Sequence, residues 1–381
     1  VLKLSESVRT YLPDAPPEWQ PITIRNLLSH TSGIPDYTGD AVDYRRDYSE
    51  ADLAKLASGM KLEFPAGSRW NYSNTGYVML GIIVSKVKGR PYWETIRERI
   101  FKPAGMLTAR IISEADLVPH RASGYLLENG TFKNQSWVSP MLNTTADGSL
   151  LLSLNDLVAW SRVVRERGIL SKASWDEVLS PVTLNSGRTY PYGHGWFIEQ
   201  VNGHKVEQHG GSWQGFQTQL SRFEGIDLTV IMLANSRTAL SMSIANQIAA
   251  AVDPALTPPA PPSMPITDND PRITAFARQI LEKTARGRLA LSDFEFIRQT
   301  IVSRMSKAYA GMLAPLGALK SLVLVGGGQE GDDRMFIYLA AFENGTVRAT
   351  VKIGPGGCTC SSVERQCSRT APLRGKNQAD S

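Results

Sequence analysis

Apolar positions change period twice over the first 252 residues of this chain. Up to about residue 167 they recur at helical spacing, from 195 to 234 they fall in short strand-like runs, and from 241 the helical spacing returns. Ile22 to Ser29 predicts a short helix with Ile24, Leu27 and Leu28 on one face. Ser49-Glu50-Ala51-Asp52 has the form of a capping box, with Asp in place of Glu. It opens a helix that buries Leu53, Leu56 and Ala57 and stops at Gly59. Thr75 to Lys88 reads as a strongly apolar helix ended by Gly89, and Pro91 to Phe101 as another with Pro in its first turn. Ser153 to Arg167 repeats the Ser-x-x-Asp start and ends at Gly168. Gly195 to Val201, Lys205 to His209, Phe216 to Phe223 and Asp227 to Ala234 are short and rich in branched and aromatic residues. Asn202-Gly203 and Glu224-Gly225 break them. Ser241 to Val252 is helical again. This order predicts an α+β domain, an antiparallel sheet with helices packed on it beside a helical region.

Asp253 to Pro271 carries seven prolines, the composition of a semi-rigid linker. Beyond it Ile273, Phe276, Ala277, Ile280 and Leu281 form an amphipathic stripe. Lys320 to Val325 and Met335 to Phe342 read as strands, and Asn344-Gly345 turns the latter into Thr346 to Ile353. After Gly357 the apolar patterning stops. The expected organisation is a domain at 1–252, a linker at 253–271, a small α+β domain at 272–357, and a disordered or non-native tail at 358–381.

Composition changes this picture little. Of the 381 residues, 42% are hydrophobic and 20% charged, and the net charge of +5 is scattered, which argues against a nucleic-acid partner. No apolar run reaches the ~20 residues of a membrane span. The three cysteines, Cys358, Cys360 and Cys367, all fall in the tail at a spacing that fits no zinc pattern. His30, His120, His194, His204 and His209 are dispersed, so neither a metal nor another cofactor is expected.

The candidate chemistry centres on Tyr72-Ser73-Asn74, just ahead of the Thr75–Lys88 helix. In an extended segment Tyr72 and Asn74 point the same way, a phenol and a carboxamide facing one cleft. The plain alternative is a core tyrosine with its hydroxyl capped. Upstream lie Leu27-Leu28-Ser29-His30-Thr31-Ser32-Gly33-Ile34-Pro35 and Glu63-Phe64-Pro65-Ala66-Gly67-Ser68. Downstream come Phe101-Lys102-Pro103-Ala104-Gly105-Met106, Ala146-Asp147-Gly148-Ser149, Tyr192-Gly193-His194-Gly195-Trp196 and His209-Gly210-Gly211-Ser212-Trp213. In this order and spacing residues 1 to 250 resemble the serine beta-lactamase-related family, which includes class C beta-lactamases, D-Ala-D-Ala carboxypeptidases, D-aminopeptidases and family VIII esterases.

The resemblance implies a beta-lactamase/transpeptidase-like fold and a serine acyl-enzyme acting on a small-molecule or peptide substrate. It also implies a periplasmic or secreted location, although no signal peptide is visible. The family works through three boxes, Ser-x-x-Lys, Tyr-x-Asn and Lys-Thr-Gly or His-x-Gly. The second maps to Tyr72 and Asn74, the proton relay and the clamp for the substrate amide. The third maps to His209, Gly210 and Gly211, with the Ser212 N–H as an oxyanion donor. The first box belongs upstream of a segment like Leu2 to Pro13. Val1 lies inside that segment without an initiator Met, so the nucleophile stretch is expected to be missing and the chain to be inactive. A tyrosine with a pKa near ~10 is a poor base unless a cation lowers it, and here His209 alone could do so.

Two internal Ser-x-x-Lys matches do not replace the first box. Ser85-Lys86-Val87-Lys88 lies about 15–18 Å along its helix from the start near Tyr72. Ser58-Gly59-Met60-Lys61 sits at a helix C-terminus, whereas the box needs its serine at a helix start. Ser32 lies in a turn. Ser58 and Ser32 remain the only internal nucleophile candidates. No Gly-x-Ser-x-Gly elbow points to an α/β-hydrolase, and Gly326-Gly327-Gly328 lacks the Lys-Ser/Thr of a phosphate cradle. Two readings follow. One is a serine hydrolase of this family, with His-Gly-Gly leaning toward esterase or peptidase over lactamase. The other is a non-catalytic binding protein that keeps the cleft. The sequence leaves the oligomeric state open, and loss of the first segment predicts exposed apolar surface on the Thr75–Lys88 helix and the sheet.

Overall fold

A computed structural model describes residues 2–38, 42–128, 130–236, 241–295, 299–355 and 357–365. They divide into two compact units, Val1–Ala260 with Glu330–Asp332, and Pro261–Gln329 with the chain from Asp333 onward.

In the first unit the local signals set the helices. Helix α1 (Ile24–Leu28) is opened by Thr23, and α2 (Glu50–Ser58) by Ser49, whose hydroxyl takes the Asp52 N–H while the Asp52 carboxylate takes the Ser49 N–H. Helix α3 (Asn74–Lys88) ends at Gly89, a left-handed residue with φ 65°. The single helix expected over Pro91–Phe101 is instead Tyr92–Ile96 followed by a π turn over Arg97–Phe101. Pro103, one turn on, has no N–H to give and crowds the carbonyl of residue 99. Helix α4 (Leu154–Glu166) is capped by Ser153 and Asp156, and α5 (Lys172–Val178) follows. Helix α3 is the centre of a core of Val8, Trp19, Ile22, Leu27, Ile34, Leu53, Val78, Met79 and Ile83.

The sheet is an antiparallel meander of β1 (Phe197–Val201), β2 (His204–Trp213), β3 (Phe216–Phe223) and β4 (Leu228–Ala234). Ile198 and Leu220 pack with Val164, Trp175 and Leu179 of the α4–α5 region. Val206, Phe223 and Val230 pack with Ala245 and Ala249 of α6 (Ser241–Val252). Strand β2 runs four residues beyond the expected His209, because Gly210 to Trp213 pair with Gln219 to Phe216 of β3. On its other side β2 pairs with β1 only as far as Gln208. Main-chain pairing from β3 carries two glycines that local propensity would not put in a strand.

The expected linker begins as packed structure. Pro254–Leu256 is a short 3-10 helix, Leu256 is buried against Val206 and Phe223, and Asn202 Nδ2 donates to Ala255 O (2.9 Å) and Thr257 O (2.6 Å). Exposed apolar surface on α3 is limited to Val87 near its C-terminal end. The helix buries Thr75, Gly76, Val78, Met79, Gly81 and Ile83. Other exposed apolar residues include Ile244, Ile248 and Val252 along one face of α6 and Leu233 on β4 of the sheet.

The second unit packs α7 (Pro271–Ala285) and α8 (Gln299–Leu313) on a four-stranded antiparallel sheet. Its strands are β5 (Leu319–Glu330), β6 (Asp333–Phe342), β7 (Gly345–Gly354) and β8 (Gly357–Arg365). Ala277 meets Leu324, Tyr338 and Val351, and Leu281 meets Leu313, Ala340 and Val347. A tail was expected from Cys358, but Gly357–Arg365 pairs with β7 as a strand. Edge pairing uses main-chain groups and does not need the apolar side chains whose absence suggested a tail. Cys367 and the rest of 366–381 lie outside the described residues.

Candidate active site

The loop after α1 and the segment before α3 are zipped together by main-chain bonds. Glu63 N donates to Gly33 O (2.8 Å), Gly67 N to Thr31 O (2.8 Å) and Asn71 N to His30 O (3.0 Å). His30 adopts φ 56° and Gly33 φ 75°, so the loop turns back on itself. This turn puts the His30 ring under Tyr72, with centroids 4.1 Å apart, and lets Ser73 N donate to His30 Nδ1 (3.1 Å).

Tyr72 and His209 face each other with ring centroids 6.1 Å apart. Asn74 Nδ2 donates to Asp36 Oδ2 (3.0 Å), which ties the second box to the buried Asp36. Behind them Tyr37 Oη donates to Asp147 Oδ2 (2.8 Å), and Tyr37 N donates to Thr75 Oγ1 (2.8 Å). Burial, opposed by the hydroxyls of Thr145 and Tyr37, raises the Asp147 carboxyl above the ordinary range. Gly210, Gly211 and Ser212 are exposed on the part of β2 whose edge toward β1 is unpaired. A Cβ on Gly210 would meet Gln219 Oε1 at 2.8 Å and one on Gly211 would meet Thr218 Oγ1 at 2.7 Å, both on the paired strand β3, so glycine here avoids crowding across the β2–β3 pair. Trp213 closes the strand, its Nε1 donating to the buried Asn143 Oδ1 (2.8 Å).

The two internal nucleophile candidates are committed locally. Ser58 Oγ donates to Ala54 O (2.8 Å) at the end of α2, and the buried Ser32 Oγ accepts from Ile34 N (3.2 Å). Ser85 Oγ accepts from Tyr92 N (2.9 Å) at the far end of α3. Ser73 is buried within the second box, and its hydroxyl has no hydrogen-bond partner.

Electrostatics at Tyr72 run against its use as a base. Burial first, then the Asp147 and Asp36 charges, push the phenol up to about 12. Burial lowers the His209 imidazole, while its bond to the Gly210 carbonyl acts the other way. Burial, then the nearby His209, holds His30 down at about 3. Tyr72→Phe is therefore expected to leave the phenolate absorbance titration unchanged between about pH 9 and 11, where free tyrosine ionises. Loss of one phenolate step below that window would show a cation acting on Tyr72.

Two members of the cluster were absent from the sequence-derived set, His30 and Tyr192. Tyr192 Oη lies 3.2 Å from His30 Nε2 and 3.2 Å from His209 Nε2. Both residues stand in boxes visible in the sequence, but there the histidines looked dispersed and nothing local links residues 30, 192 and 209. Among the described residues no group of three His, Cys, Asp or Glu could hold a metal ion, and no helix is long and apolar enough to cross a membrane.

Comparison with known proteins gives the same region of the chain. The Beta-lactamase family profile matches residues 1–253. Penicillin-binding protein 4* of Bacillus subtilis (strain 168) is 31% identical over 253 residues, covering 62% of this chain and 55% of the relative. A D-aminopeptidase of Gluconobacter oxydans (strain 621H) is 26% identical over 235 residues, 60% of this chain and 44% of the relative. The chain thus spans about half the length of the curated relatives it matches. A D-stereospecific amidohydrolase from Streptomyces sp. superposes with a TM-score of 0.57 at 25% identity, over 65% of this chain and 78% of that one. The octameric penicillin-binding protein homologue from Pyrococcus abyssi gives 0.59 at 20% identity over 96% of this chain and 80% of that one, a likeness of fold.

Proposed function

The chain belongs to the beta-lactamase family, whose profile spans residues 1–253, and on that premise we propose that it is a serine hydrolase of the acyl-enzyme kind, acting on an ester or peptide amide in preference to a lactam. The observation that carries this reading is the approach of Tyr72 to His209, 6.1 Å between rings, beside the open edge at Gly210–Ser212. In it, Tyr72 moves the proton, Asn74 holds the substrate amide, the edge of β2 takes the substrate backbone, and the Ser212 N–H is one oxyanion donor. The amide preference draws on the D-aminopeptidase and amidohydrolase relatives. The nucleophile and its lysine come from a Ser-x-x-Lys box outside these 381 residues. The reason is chemical. Burial first, then Asp147 and Asp36, raise the Tyr72 phenol, and a phenol at about 12 needs a cation to serve near neutral pH.

That same observation favours a second reading, a binding protein that keeps the cleft without turnover. Assays with nitrocefin, p-nitrophenyl butyrate and D-alanine p-nitroanilide separate the two. The 381-residue chain is expected to show no turnover above its Tyr72→Phe variant. The chain with a Ser-x-x-Lys helix restored ahead of Leu2 is expected to hydrolyse the ester or the anilide, and Tyr72→Phe to cost it about 10²–10⁴-fold. Turnover by the unextended chain, lost in Tyr72→Phe, would defeat the need for an outside nucleophile. Turnover by neither form, with a phenylboronate still bound, would favour the second reading.

A further inference from the structure

Four bonds join the second box to the third through side chains that the proposed reaction does not use. Ser73 N donates to His30 Nδ1 (3.1 Å), so that nitrogen carries a lone pair and the neutral ring holds its proton on Nε2. His30 Nε2 faces Tyr192 Oη at 3.2 Å and donates to it. At the other end His209 Nδ1 lies 2.7 Å from the Gly210 carbonyl, which can only accept. A neutral His209 therefore holds its proton on Nδ1 and turns the Nε2 lone pair to Tyr192 Oη at 3.2 Å. Tyr192 has one proton to give. It accepts from His30, and its proton is shared between His209 Nε2 and the hydroxyl of Tyr77, whose own proton goes to Leu28 O (2.9 Å); the tautomers at the two ends are set by a backbone N–H at His30 and a backbone C=O at His209.

We propose that Tyr192 is a positioning residue that locks His209 as the Nδ1–H tautomer with both ring nitrogens occupied. A neutral His209 held in this way is not the cation that would activate Tyr72. The rings facing it are those of Tyr72, Tyr192 and Phe197, with His30 beyond Tyr192. Tyr192 itself is held by its edge contact with Phe197, ring centroids 4.8 Å apart, and its ring is almost wholly buried, at 1% exposure. The assignment follows from the bonding of these residues and does not depend on hydrolase activity, so an inactive chain leaves it standing.

The test is long-range proton–nitrogen NMR on the full chain labelled with 15N-histidine, with His30→Gln and His209→Gln used for assignment. In the unaltered protein near neutral pH, His209 is expected as a single Nδ1–H tautomer and His30 as a single Nε2–H tautomer. Tyr192→Phe keeps the ring packing and removes the hydroxyl. It should turn the His209 signals into a mixture of tautomers and shift its titration midpoint upward toward the ordinary histidine range. A His209 found as Nε2–H in the unaltered protein overturns the proposal, as do unchanged His209 signals in a folded Tyr192→Phe. If that variant does not fold, the tautomers of the unaltered protein decide alone.

Discussion

Glu207→Leu is expected to destabilise the first unit by about 3–5 kcal/mol, the usual cost of removing one partner of a buried ion pair. Glu207 is fully buried, and three cations converge on it. Arg222 Nη1 lies 2.6 Å from its Oε2, Lys205 Nζ 3.0 Å and Arg167 Nη2 3.6 Å from its Oε1. Arg222, 8% exposed, sits directly across from it on β3. With Glu207 gone the three cations keep only Glu224, which is 38% exposed and lies 3.6 Å from Arg222. A buried guanidinium beside two like charges then has to be desolvated with one distant counter-ion. The effect should reach the site, because Glu207 and His209 share one face of β2 two residues apart. Urea unfolding measures the loss. The double change Glu207→Leu with Arg222→Met should recover part of it, since both buried charges then leave together. Glu224→Ala, at the solvated rim, should cost no more than about 1 kcal/mol. A cost below about 1 kcal/mol for Glu207→Leu alone would mean that the pair is wetter than its burial implies.

Gly33→Ala is the second large effect expected, and it bears on the site directly. Gly33 has φ 75°, a left-handed conformation that costs an alanine about 1–2 kcal/mol. That strain is only the floor. An added Cβ would lie 2.1 Å from the Phe64 carbonyl oxygen, a backbone atom held in place by the neighbouring Glu63 N–H to Gly33 O bond. The two strands of the zip must part to make room, and with them the bonds that seat His30 under Tyr72. Gly89→Ala is the matched control. Gly89 has φ 65° and open space around it, so it pays the strain alone. Thermal unfolding of the two variants should therefore separate, with Gly33→Ala the less stable and Tyr72 fluorescence altered only there. Equal melting temperatures would show that the loop absorbs the added methyl without cost.

The elements legible in the sequence are those set by neighbours in the chain. The Ser49–Asp52 and Ser153–Asp156 caps, the Gly89 stop and the Asn202-Gly203 turn all act within four residues, and each was found where its local chemistry put it. The sequence was misleading where pairing or packing outweighed propensity. Gly210 and Gly211 read as the end of a strand, yet β3 carries β2 on to Trp213. Residues 358–365 read as a tail, yet β7 supplies an edge to pair with. The apolar face expected to be bare on α3 is covered by the residues between Val8 and Ala57, and the bare stripe lies on α6.

By itself the sequence determined the family, the order of its boxes and the residue types that each box brings, because those are properties of the chain read in order. Only the tertiary structure decided what those residues are to one another. It brought His30, Tyr72, Tyr192 and His209 into one cluster across 179 positions of sequence. It also buried Tyr72 and brought Asp147 and Asp36 near it. Proton positions and pKa values depend on burial and on partners distant in the chain, and no local pattern encodes either.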